Sequence, residues 1–216
     1  MKLATRDPVL TTINGIRVLY YRNESFLTNI QILTGVGSAA ETPDIQGMAH
    51  ILEHMFFKGS RKRPGGLDIS RAANDIGGKL NAYTTYDHTV YYITVLNDSF
   101  QEGFDILGDM YQNPLFPADE FTKELNPILS EYREREDDPE NFIAERALEA
   151  YLGEAYHPVI GTETSIRAAN VEKMHDFKRR YYGGENTLVS IVGGIDEQTA
   201  YQAVERLFTE SAPTEA

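Results

Sequence analysis

Residues Gln46 to Phe57 have few ways to fold. Met48, Ile51, Leu52, Met55 and Phe56 recur at helical spacing, and His50, Glu53 and His54 fall between them. Lys58-Gly59 then follows, a cation for the last turn and a glycine just beyond it, as at many helix ends. The segment is read as one amphipathic helix, and the rest of the chain must cover its apolar stripe.

The flanking sequence supplies strands. Thr11 to Tyr21 is interrupted by Asn14-Gly15, a strong hairpin-turn signal. Asn29 to Ile32 alternates polar and apolar residues, and Leu33-Thr34 extends it. Leu80 to Thr85 and Thr89 to Leu96 are rich in Tyr, Thr and Val, and Thr187 to Val192 is apolar and β-branched. Helices are expected over 67–76, from a cap at 97–99 to Tyr111, over 117–136, 141–152, 171–181 and 197–208. Pro127 is expected to kink or split the third of these six helices. Tight turns between neighbouring strands favour antiparallel pairing. The expected fold is therefore α+β: a mostly antiparallel sheet of five to six strands packed against helices. Residues 1–210 are read as one domain, and 211–216 as a linker or frayed tail.

Composition narrows the function. The net charge of -13 argues against a nucleic-acid binder and against an anionic membrane surface. No apolar run reaches the roughly 20 residues of a membrane span, and 1–8 show no apolar signal core. These features point to the cytoplasm. Among 216 residues there is no cysteine, so any metal must sit on His, Asp or Glu.

That restriction gives weight to His50-Ile51-Leu52-Glu53-His54. Side chains at i and i+4 lie one turn apart on the same helix face, so His50 and His54 can grip one tetrahedral ion. Glu53 is three residues from His50, and its carboxylate reaches the same face. There it can take a proton from a water that the ion has acidified. A catalytic zinc usually has three protein ligands and one open position. The helix from Pro117 offers Glu120, Glu124, Glu131, Glu134 and Glu136 as the third. Glu124 and Glu131 are two turns apart on one face if the helix is continuous, and spacing alone does not rank them. His88, His157 and His175 stand singly and are read as surface or structural residues.

The order His-x-x-Glu-His inverts the usual zincin order, and the surrounding sequence resembles the pitrilysin (M16) metallopeptidase family. Gly47 to Gly59 is similar to the metal helix of that family. Asn81 to Tyr92 is similar to its substrate-binding edge strand and the strand after it. Glu124 to Glu131, with the acidic run to Pro139, is similar to its third-ligand helix, and His157-Pro158 and Gly161-Thr162 fit a later segment. The resemblance implies that His50, His54 and Glu131 bind zinc, that Glu53 is the general base, and that Glu124 orients the site from behind. It also implies that Asn81, Ala82 and Tyr83 pair with an extended peptide by strand addition.

The expected activity is zinc-dependent hydrolysis of extended or unfolded peptides. Members of this family generally use two such domains facing each other across a chamber. The expected partner is therefore a second domain of the same type, or a second copy of this chain. The rival reading is a non-catalytic structural or peptide-binding subunit, or a half-enzyme inactive without its second domain.

Overall fold

The computed structural model describes residues 7–209. The expected tail at 211–216 lies outside the described residues.

The chain opens with a hairpin of β1 (Val9–Ile13) and β2 (Ile16–Arg22). Asn14 and Gly15 join them with φ of 49° and 80°, the left-handed pair a tight two-residue hairpin turn requires. Then come β3 (Leu27–Thr34), β4 (Lys79–Thr84), β5 (Thr89–Leu96) and β6 (Thr187–Gly193). These six strands form one sheet in the order β1-β2-β6-β3-β5-β4. Every neighbouring pair is antiparallel except β2 and β6, which run parallel. A parallel pair needs a crossover, and here residues 23–186 lie between the two strands. β1 and β4 are left as the sheet edges.

Eight α-helices accompany the sheet among the described residues: α1 (Met48–Phe56), α2 (Asp68–Asp75), α3 (Phe100–Gln112), α4 (Ala118–Asp137), α5 (Pro139–Leu152), α6 (Glu163–Ala168), α7 (Val171–Tyr181) and α8 (Glu197–Leu207). The short α6 has no counterpart in the sequence reading. It is held by a capping box in which Thr162 and Ser165 each serve the other's backbone N–H. None of Asn97, Asp98 and Ser99 caps α3 through its side chain. They form a 3-10 turn, and Asn97 Oδ1 accepts from Thr28 Oγ1 at 2.7 Å.

Pro127 does not split α4, which is continuous over its 20 residues. Phe121 and Glu124 before the proline, and Ile128 and Leu129 after it, are all buried. Anchored on both sides, the helix tolerates the loss of one backbone hydrogen bond. Glu124 and Glu131 therefore do share a face.

The apolar stripe of α1 is buried as its spacing requires: Met48, Ile51, Leu52, Met55 and Phe56 are each at most 1% exposed. Phe56 sits among the rings of Tyr91, Tyr111, Phe116 and Tyr182, with centroids 4.7–6.1 Å away. Truncating such a ring to alanine costs about 3–5 kcal/mol. With this stripe fixed in the core, His50, Glu53 and His54 are turned toward α4 and the β4 edge.

Candidate metal centre

α1 begins without a conventional side-chain cap. Gly47 adopts φ 83°, and a Cβ there would lie 2.6 Å from the Ile160 carbonyl oxygen, so glycine is required. The exposed backbone donors of the first turn are answered from six residues upstream. Glu41, 4% exposed, accepts from Gly47 N–H at 2.7 Å and from Ala49 N–H at 2.8 Å.

One turn into α1, the Nε2 atoms of His50 and His54 lie 3.2 Å apart. Glu131 on α4 places Oε2 3.5 Å from the first and 3.4 Å from the second. An ideal tetrahedron with ligand bonds of about 2.0–2.1 Å has edges of about 3.3–3.4 Å. The three donor atoms thus outline one face of a zinc-sized tetrahedron. Among the described residues, these three form the His/Asp/Glu group whose ligand atoms converge closely enough to hold an ion.

The other candidates surround this triangle. Glu124 accepts from His54 Nδ1 through Oε1 at 2.9 Å, which turns His54 Nε2 toward His50 and Glu131. His50 Nδ1 is buried without a hydrogen-bond partner among the described residues, so the two imidazoles are held unequally. Thr84 Oγ1 donates to Glu53 Oε2 at 2.6 Å. Asn81, Ala82 and Tyr83 lie on β4 at the sheet edge, with Asn81 and Tyr83 exposed and Ala82 turned inward. The Ala82 N–H donates to Asn81 Oδ1 at 2.9 Å. Of the remaining histidines, His88 pairs with Asp87, His157 meets Gln46, and His175 packs on Phe116.

The charges are strongly coupled. Burial, then the neighbouring His54, pushes His50 down to about 4, so it is neutral and ready to donate a lone pair near pH 7. Burial also works against a charged His54, but Glu124, Glu131 and Glu53 outweigh it and hold that imidazole up to about 9. The hydrogen bond with His54 keeps the Glu131 carboxyl below its ordinary value. Burial would raise Glu124, yet its bonds to His54 and Lys58 win and keep it low. Burial raises Glu53, partly offset by the Thr84 hydroxyl and by His54. A cluster of carboxylates around one protonated imidazole is an arrangement that a divalent cation can complete by displacing the proton.

The sequence profile described as Insulinase (Peptidase family M16) matches residues 17–159. The chain belongs to peptidase family M16. An uncharacterized zinc protease of Rickettsia bellii is 34% identical over 200 residues, covering 91% of this chain and 48% of the relative. The chain thus spans about half the length of the curated M16 relatives it matches. A protease of Helicobacter pylori superposes with a TM-score of 0.88 at 25% identity, over 97% of this chain and 52% of the other. An M16 inactive domain from Pseudomonas fluorescens reaches the same TM-score at 17% identity, covering 98% of this chain and 53% of that one. The M16 fold is therefore shared by domains described as proteases and by one described as inactive, and the case for chemistry rests on the side chains.

Three of those side chains have roles here that their sequence positions did not disclose. Glu41 caps α1 across a loop, with no local motif announcing it. Thr84 reaches Glu53 only because the β4 edge runs beside α1. Lys58, read as a helix-end cation, instead reaches Glu124. No described helix is long and apolar enough to cross a membrane.

Proposed function

We propose that this chain is the zinc-binding, hydrolytic domain of an M16 endopeptidase acting on extended or unfolded peptides. The observation that carries the reading is the triangle of His50 Nε2, His54 Nε2 and Glu131 Oε2, whose sides of 3.2, 3.5 and 3.4 Å fit a tetrahedral zinc. When bound there, zinc would acidify a water and polarise a carbonyl. Glu124 keeps His54 in the tautomer that presents Nε2. Glu53, held at Oε2 by Thr84, takes a proton from the attacking water and delivers it to the leaving amine. The peptide lies along β4 beside Asn81, Ala82 and Tyr83 as an added strand. Main-chain pairing then sets its register whatever its sequence. Asn81 Oδ1 releases the Ala82 N–H as this happens.

The chain is proposed to work with a second domain of the same type. Its relatives are about twice as long, and α5 supports the idea independently. α5 has no buried residue. Glu145 and Arg146 turn to Arg135 and Glu136 of α4, while Ile143, Leu148 and Tyr151 are 67%, 51% and 85% exposed. A helix with apolar residues outward is one that expects cover.

The test is hydrolysis of a quenched, unstructured peptide, with bound zinc quantified in the same sample and a chelator control. Chelator-sensitive turnover with one zinc per chain is the expected result. Zinc without turnover favours the half-enzyme reading, in which the second domain completes the site. A chain that takes up no zinc overturns the reading.

A further inference from the structure

We infer that Lys58 is a positioning residue of the metal centre, holding the Glu124 carboxylate so that it faces His54; the inference rests on the zinc reading above. Lys58 Nζ lies 2.6 Å from Glu124 Oε2, while Glu124 Oε1 takes His54 Nδ1 at 2.9 Å. Each carboxylate oxygen therefore has one partner, and both partners come from the end of α1. His54 is in its last turn, and Lys58 lies four residues on, just past the Phe57 cap. Glu124 arrives from α4 and is clasped between them. The carboxylate cannot rotate without releasing one or the other.

The setting separates this contact from a surface ion pair. Exposed pairs are loosely held and contribute little. The Glu124 side chain is only 11% exposed and that of Lys58 24%, so losing the ammonium strands a largely buried oxygen. Two effects then oppose each other. Removing a cation lessens repulsion of a dication, but it also frees the carboxylate that sets the direction of the His54 ring. The ammonium sits on the far oxygen of Glu124, with that carboxylate between it and His54. The orienting contact is direct, so orientation dominates. Loss of a group that orients a ligand typically weakens metal binding by about 10- to 100-fold.

The experiment measures zinc affinity by chelator competition, and the absorption bands of the cobalt-substituted protein, for the wild-type chain, Lys58→Met, Lys58→Arg, Glu124→Gln and the Lys58→Met/Glu124→Gln double variant. Lys58→Met is expected to bind zinc about tenfold more weakly and to alter the cobalt spectrum. Lys58→Arg should recover most of the affinity. The double variant should bind no more weakly than Glu124→Gln alone, because Lys58 acts only through that carboxylate. A pair that merely stabilises the fold would lower the melting temperature and leave affinity and spectrum unchanged, which overturns the inference. Losses that add in the double variant overturn it as well. If Lys58→Met fails to fold, Lys58→Gln takes its place, with the same affinity loss expected and an unchanged affinity equally fatal. A wild-type chain that binds no zinc defeats the functional reading itself, whereas a zinc-loaded wild type beside an unaffected Lys58 variant defeats this inference alone.

Discussion

Thr84 at the end of β4 donates a 2.6 Å hydrogen bond to Glu53 on α1, tying the edge strand of the sheet to the carboxylate beside the histidines. The proposed peptide-binding strand and the proposed base are thus one mechanical unit. The hydroxyl also stabilises the ionised carboxylate against the upward push of burial. In Thr84→Val that support is gone, and the Glu53 carboxyl rises further. A base must be deprotonated to act, so the acid limb of the kcat/KM profile should move to higher pH. The loss of activity should be largest in mild acid and smaller in alkali. An acid limb that stays in place in Thr84→Val would show that Thr84 does not tune the base.

Glu53→Gln separates metal binding from chemistry. Glu53 is not among the three residues, His50, His54 and Glu131, whose ligand atoms converge. Its amide variant should keep one zinc per chain and lose turnover by about 10²- to 10⁴-fold, the usual share of a general base. Turnover near the wild-type level would remove Glu53 from the mechanism.

Much of this was legible because it depends on helix periodicity. The apolar stripe of α1 and the shared face of His50, Glu53 and His54 follow from spacing alone, and so does the seven-residue interval between Glu124 and Glu131. Which of those two glutamates meets the ring Nε2 atoms could not be read from spacing. That depends on how α4 crosses α1, a tertiary fact. The parallel pairing of β2 with β6 was hidden for the same reason, since its partners lie about 170 residues apart. Glu41 and Lys58 were missed because each acts across a chain reversal, where no local pattern records the contact. The helix expected over 141–152 forms as α5, but that its apolar residues Ile143, Leu148 and Tyr151 face outward is a tertiary fact that spacing does not record.

Glu41 gives a pH signature of stability in the metal-free chain. Burial pushes its carboxyl up to about 8, against hydrogen bonds from the first backbone N–H groups of α1. The unfolded chain releases this proton near the ordinary value of 4.5. Between those two values the folded state holds more protons, so stability must fall as pH rises. The contribution is greatest below about 4.5 and is lost by about 8, with a slope of up to about 1.4 kcal/mol per pH unit. Glu41→Gln puts a group that does not titrate at this site, so its stability should lack this pH dependence. The wild-type minus Glu41→Gln difference from urea unfolding should shrink across that window. A flat difference would mean that Glu41 keeps an ordinary pKa despite its burial.

His54 makes zinc binding compete with a proton. In the metal-free chain its imidazole is held up to about 9, so at pH 7 it is a cation bonded to Glu124 and Glu131. A ligand needs the Nε2 lone pair, so zinc can enter only as that proton leaves. His50, held down to about 4, releases none over the same range. The apparent zinc affinity should therefore rise about tenfold per pH unit from pH 6 toward 9 and level off above it. Titration calorimetry in buffers of different ionisation enthalpy should register about one proton released per zinc at pH 7. Release of no proton would place the zinc elsewhere or leave His54 neutral in the empty site. Release of two would show that His50 is charged as well, and that its burial does not govern its ionisation.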